Sequence, residues 1–211
     1  MTSETFANLA SALSDAIVAI AAGVAAFFAV KGVNTYRGEL FVKDEYELAR
    51  RLIHHIYRVR DGFRHVRNPL IHAAEYPEET RNLTGPEALS PENNFKSQSH
   101  AYQKRWEVLG AAMRDLEAEM VQAQVFWGQS IQELMPPVRE CLFVLQLSIQ
   151  HWLLSIKGED PGLSREDMLT EQKVLYSMGS IDKDEFAQKI QVALDAIEKI
   201  ARPHLKPQRD N

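Results

Sequence analysis

The stretch Ala16-Ile17-Val18-Ala19-Ile20-Ala21-Ala22-Gly23-Val24-Ala25-Ala26-Phe27-Phe28-Ala29-Val30 has fifteen positions and no charge or strongly hydrogen-bonding side chain. As a helix it reaches about 22 Å, short of a hydrocarbon core of roughly 30 Å. Extended back to Thr5 it reaches about 39 Å, with Asp15 as its one internal charge. That is long enough to span, provided that Asp15 sits in the outer third or faces protein.

Three readings compete for this segment. A secretory signal wants a basic start and a small-residue cleavage site, whereas this start carries Glu4 and the run leads into Lys31-Gly32-Val33-Asn34-Thr35-Tyr36-Arg37. A buried core helix is the plainer alternative, because apolar runs of about 10 to 14 residues are commonly core. A transmembrane anchor is the leading expectation. Lys31, Arg37 and Lys43 flank only its C-terminal end, which places the N-terminus outside the inner (cell) membrane and the rest of the chain in the cytoplasm.

The faces of the helix differ. At about 100° per residue, Phe6, Leu9, Leu13, Ile17, Ile20, Val24 and Phe27 fall on one side, and Asn8, Ser11, Asp15, Ala19, Ala22, Ala26 and Ala29 on the other. Bulky aliphatic residues suit lipid, small ones let helices approach closely, and an acid needs shielding by protein or water. This segregation predicts several copies assembled with Asn8, Ser11, Asp15, Ala19, Ala22 and Ala26 lining a shared axis. The alternative is that alanine is common in spans and Asp15 lies at the headgroup level.

Charge divides along the 211 residues. Residues 1–30 hold two acids and no base, residues 31–70 nine bases against five acids, and the remainder fifteen against twenty-two. One cysteine, Cys141, excludes an intrachain disulfide framework and a cysteine-cluster metal site.

Beyond Val30 the sequence predicts an all-α bundle of about four or five helices, residues 34–211 following a membrane helix over 1–33. A connection through Gly38 precedes a helix from Lys43 or Asp44 to Val66, with Ala49, Leu52, Ile53, Ile56, Phe63 and Val66 on a 3/4 repeat. Pro69, Pro77, Pro86 and Pro91 mark a long loop over about 67–99. Tyr102, Trp106, Leu109, Met113, Leu116, Met120, Ala123 and Trp127 then step by four and three along one apolar seam. A further helix begins near Pro137 and runs to about Ile156, apolar on most sides and so placed at the bundle centre. Ser164 and Asp167 form an N-cap signature for a helix to about Met178, and a last helix runs from about Lys183 to Arg202 with Phe186, Ile190, Leu194, Ile197 and Ile200 inward.

Motifs for catalysis are lacking: no Gly-rich phosphate loop, His-Glu-x-x-His, Cys-x-x-Cys or Gly-x-Ser-x-Gly occurs. No enzyme, cofactor or metal is therefore expected, and Cys141, in the most apolar helix, reads as a core thiol. The adjacent His54 and His55 point to different parts of a helix surface. The marked polar feature is a basic stripe. Arg51, His55 and Arg58 share one face, and Arg60, Arg64 and Arg67 repeat the spacing on another. Such a stripe attracts anionic lipid at about 1 kcal/mol per base, or a nucleotide or oligonucleotide phosphate. The alternative is pairing with acids of the bundle itself, such as Asp115, Glu117 and Glu119.

Asn34-Thr35-Tyr36-Arg37-Gly38-Glu39-Leu40, then Tyr46-Glu47-Leu48-Ala49, Arg60-Asp61 and the ending Ile197-Glu198-Lys199-Ile200-Ala201-Arg202-Pro203-His204-Leu205 resemble a widespread group of bacterial single-span membrane proteins. In that group an apolar helix precedes an Asn-x-aromatic-Arg-x-Glu-Leu motif and a helical domain. In plan the chain is also similar to channel-forming effectors of anti-phage defence, the Hailong channel subunits among them. That resemblance implies a homo-oligomeric membrane channel, gated through its cytoplasmic domain by an oligonucleotide or nucleotide made by a partner enzyme. A membrane-tethered module that docks a soluble partner without conducting ions is the alternative.

Overall fold

The computed structural model describes residues 3–88, 90–177 and 181–205, with side chains described from Ile20 onward. Among the described residues the secondary structure is entirely helical. The α-helices are α1 (Ser3–Val66), α2 (Glu78–Arg81), α3 (Pro91–Trp127), α4 (Met135–Lys157), α5 (Arg165–Leu175) and α6 (Glu185–Ala201), joined by short 3-10 turns. The chain divides into two compact units, Met1–Tyr46 and Glu47–Asn211. Among the described residues no helix is long and apolar enough to cross a membrane. The expected span starts at Thr5, and its residues before Ile20 lie outside that statement.

The expected break at Gly38 does not occur, since α1 continues through it. A single glycine costs a helix only about 1 kcal/mol against alanine, and Arg37, Glu39 and Leu40 around it favour the helix. Nothing lies within 4 Å of where a Gly38 Cβ would stand.

Within the second unit the core is a set of 3/4-spaced seams. Leu48, Ala49, Leu52, Ile53, Ile56, Val59, Phe63 and Val66 of α1 are buried, as are Leu109, Met113, Leu116, Met120 and Ala123 of α3. Ile190, Leu194 and Ile197 of α6 complete it. The α1 and α3 seams meet so closely at Gly62 that a Cβ there would stand 3.0 Å from Leu109 Cδ1 and 3.2 Å from Leu109 Cα.

Helix ends follow local chemistry. Ser90 caps α3, its Oγ accepting from Asn93 N at 3.3 Å, and Pro91 sits where a missing N–H does no harm. The loop expected over 67–99 therefore ends at Ser90, with α2 and a 3-10 turn over Ala73–Glu75 inside it. Pro136 lies in the first turn of α4, and Gly158 ends that helix at φ 84°, a left-handed conformation that glycine adopts without strain. Ser164 and Asp167 form the expected capping box of α5, which stops at Leu175. Asp184 caps α6 through Ala187 N at 2.9 Å.

α4 packs against α3, α5 and α6. It buries one face, Met135, Val138, Cys141, Leu145 and Ile149, while Phe143 stays 64% exposed. The helix expected at the bundle centre thus packs on three others and leaves one side open.

Candidate functional site

The basic stripe of α1 is spent largely on acids of the bundle itself. Arg51 donates from Nε to Glu119 at 3.0 Å and from Nη2 to Gln122 at 3.0 Å. Two helical turns on, Arg58 reaches Asp115 at 2.6 Å. His55 lies between them with a buried Nδ1 that has no hydrogen-bond partner among the described residues, and there Glu119 Oε2 is likewise buried without one. Burial lowers the His55 pKa, opposed by the carboxylates of Asp115 and Glu119 and aided by His54 and Arg58. The ring is therefore held toward its neutral form.

The second face turns to α6. Arg60 donates to Asp195 at 2.9 Å and to Glu198 at 3.4 Å, and Tyr57 donates its hydroxyl to Glu198 at 3.1 Å. Arg202 also pairs with Glu198. The Glu198 pKa is lowered: burial pushes it up, and hydrogen bonds from Arg202 and Tyr57 with the charges of Arg202 and Arg60 outweigh that. Arg64 is well exposed, with Asp61 on its own helix at 3.7 Å.

Arg67 is not on the surface. Its guanidinium donates to the carbonyls of Val174 at 2.7 Å, Lys173 at 2.9 Å and Tyr176 at 3.2 Å, and to Asp184 at 2.9 Å. One arginine thus closes the C-terminal end of α5 and holds the N-cap of α6. Of the readings offered for the stripe, pairing with the bundle's own acids describes the side chains of Arg51, Arg58, Arg60 and Arg67.

Sequence reasoning missed Arg105, which is 1% exposed on the apolar side of α3. It forms a two-pronged pair with Glu75 (Nη2 to Oε1, 2.9 Å) and donates to the carbonyls of Asn68 and Leu70 at 2.6 Å each. Below it the hydroxyl of Ser97 donates to that of Thr80 at 2.7 Å, both residues buried. These contacts order the proline-rich segment. The one local signal was position: Arg105 stands beside Trp106 and three residues after Tyr102, on the edge of the apolar seam.

In the first unit every residue from Ile20 to Asp44 is exposed. Ile20, Val24, Phe27, Phe28, Val30 and Val33 are between 51% and 68% exposed. Of the residues expected to line an axis, Ala22 and Ala26 are exposed on α1, and the side chains of Asn8, Ser11, Asp15 and Ala19 lie outside the described residues. Cys141 is buried, and burial raises its thiol pKa. Among the described residues no group of three His, Cys, Asp or Glu side chains is placed to hold a metal ion.

No protein-family model, curated protein or solved structure matches the chain.

Proposed function

We propose that the chain is a membrane-anchored, self-associating effector whose N-terminal helices gather into an ion channel or pore gated through the helical domain, as in membrane effectors of anti-phage defence. The observation that carries this reading is the uncovered apolar surface of α1, from Ile20 to Val33. Six large apolar side chains more than half exposed within fourteen residues need an apolar surrounding. Lipid satisfies the bulky face, and the alanine face, with Ala22 and Ala26, suits sister copies. Lys31, Arg37 and Lys43, all exposed beyond it, fit the cytoplasmic boundary.

Purified protein in planar bilayers tests the reading. Steady currents that fall in Asp15→Ala are expected, because an acid at the mouth of a pore concentrates cations. Silence from well-folded oligomers would remove the pore. That outcome favours a tethered docking module, for which the open strip of Phe143 and Leu147, one helical turn apart on α4, is the supporting feature.

A further inference from the structure

A cavity of about 300 Å³ lies where the end of α5 meets the start of α6, lined by Thr170, Lys173, Val174, Lys183, Phe186 and Lys189, with Asp184 and Glu185 at its edge. Three lysines converge on it from three elements: Lys173 from the last turn of α5, Lys183 from the 3-10 turn over Ile181–Lys183, and Lys189 from the second turn of α6. Each is exposed, and none forms an ion pair among the described residues. This sets them apart from Arg51, Arg58, Arg60 and Arg67, whose charges are matched by acids of the bundle.

The acids nearby do not cancel the three charges. The carboxylate of Asp184 is already held by buried Arg67 at 2.9 Å and accepts from Ala187 N. Among the described residues that line the cavity, Glu185 is the one other acid, against three lysines. The backbone adds to the imbalance. The first N–H groups of α6 have no partner within the helix and carry its positive dipole end. The negative end of α5 is masked by the Arg67 guanidinium on the Lys173 and Val174 carbonyls. Phe186 and Val174 supply an apolar wall, and Thr170 a hydroxyl.

From this arrangement we infer a binding site for a phosphate-bearing anion, independent of whether α1 crosses a membrane. Its volume is at the lower end of small-molecule pockets and exceeds a bare phosphate, so the fitting class is a phosphate ester whose small organic part rests on Phe186. The phosphate could come from a soluble metabolite or from a lipid headgroup, and the chemistry of recognition is shared.

Calorimetric titration of inorganic pyrophosphate into the full chain in neutral detergent tests the site, with phosphatidic acid in mixed micelles as a second arm. One saturable event per chain is expected, weakening as sodium chloride rises. The double variant Lys183→Gln/Lys189→Gln weakens it at least tenfold, Glu185→Gln tightens it severalfold, and Lys157→Gln, outside the cavity, leaves it unchanged. Lysine dependence with pyrophosphate assigns a soluble source, and lysine dependence with phosphatidic acid alone assigns a lipid. No saturable binding in either arm overturns the inference. So does wild-type affinity in a triple Lys173→Gln/Lys183→Gln/Lys189→Gln variant of unchanged helicity.

Discussion

Arg67 and Asp184, 117 positions apart, meet at 2.9 Å with both side chains almost wholly buried. The pair joins the end of α1 to the start of α6, and the same guanidinium satisfies three carbonyls at the end of α5. Removing one member leaves the other charge buried and uncompensated, an effect of about 3–5 kcal/mol. Arg67→Ala and Asp184→Ala are each expected to lower stability by about that much in urea unfolding followed by helical ellipticity. Asp184→Asn keeps the N-cap acceptor and falls between them and the wild type. Equal stability of wild type and Arg67→Ala would show that the clamp contributes nothing.

Arg105 holds the Glu75 carboxyl down to about 2 from an ordinary 4.5, chiefly through its hydrogen bonds to that carboxylate. Because the folded chain binds this proton less readily than the unfolded one, the pair stabilises fully above about pH 4.5 and ceases to do so as pH falls toward about 2. Glu75→Gln is expected to be less stable than wild type at pH 7 and to lose less between those two values. Stability curves that run parallel through that window would contradict the assignment.

Gly62→Ala tests the close approach of α1 and α3. The methyl gains about 1 kcal/mol of helix propensity. It also meets the Leu109 backbone at 3.2 Å, where no rotamer change gives relief, and overpacking of this kind costs about 1–3 kcal/mol. Net destabilisation follows. Gly38→Ala meets nothing and should be neutral or stabilising. A melting temperature raised by Gly62→Ala would overturn the contact.

The surface pairs rank below the buried ones. Arg58 and Asp115 are each more than two-fifths exposed, so a double-mutant cycle should return at most about 1 kcal/mol. Glu198→Ala should cost more than Asp115→Ala, because it strips a buried carboxylate from Tyr57, Arg60 and Arg202 together.

How legible this fold was depends on the range of the interactions. The seam from Tyr102 to Trp127 and the α6 positions Phe186, Ile190, Leu194 and Ile197 show in the sequence because helical burial repeats every three or four residues. So does the Ser164–Asp167 capping box, whose partners are three residues apart. Pro91, expected inside the loop, instead opens α3, by the same first-turn chemistry that lets Pro136 stand at the start of α4, where no N–H is needed. Arg67 and Arg105 were beyond local reading: a buried arginine looks like a surface one until Asp184 and Glu75 arrive from other elements. The lysine cavity was hidden for the same reason, with its charges on three elements.

The central claim, that α1 is held in lipid, is tested most directly by alkaline carbonate extraction of membranes from cells expressing the full chain. The account predicts that the protein stays in the pelleted membranes at high pH and is released only by detergent. Recovery in the carbonate supernatant, with no detergent, would contradict it.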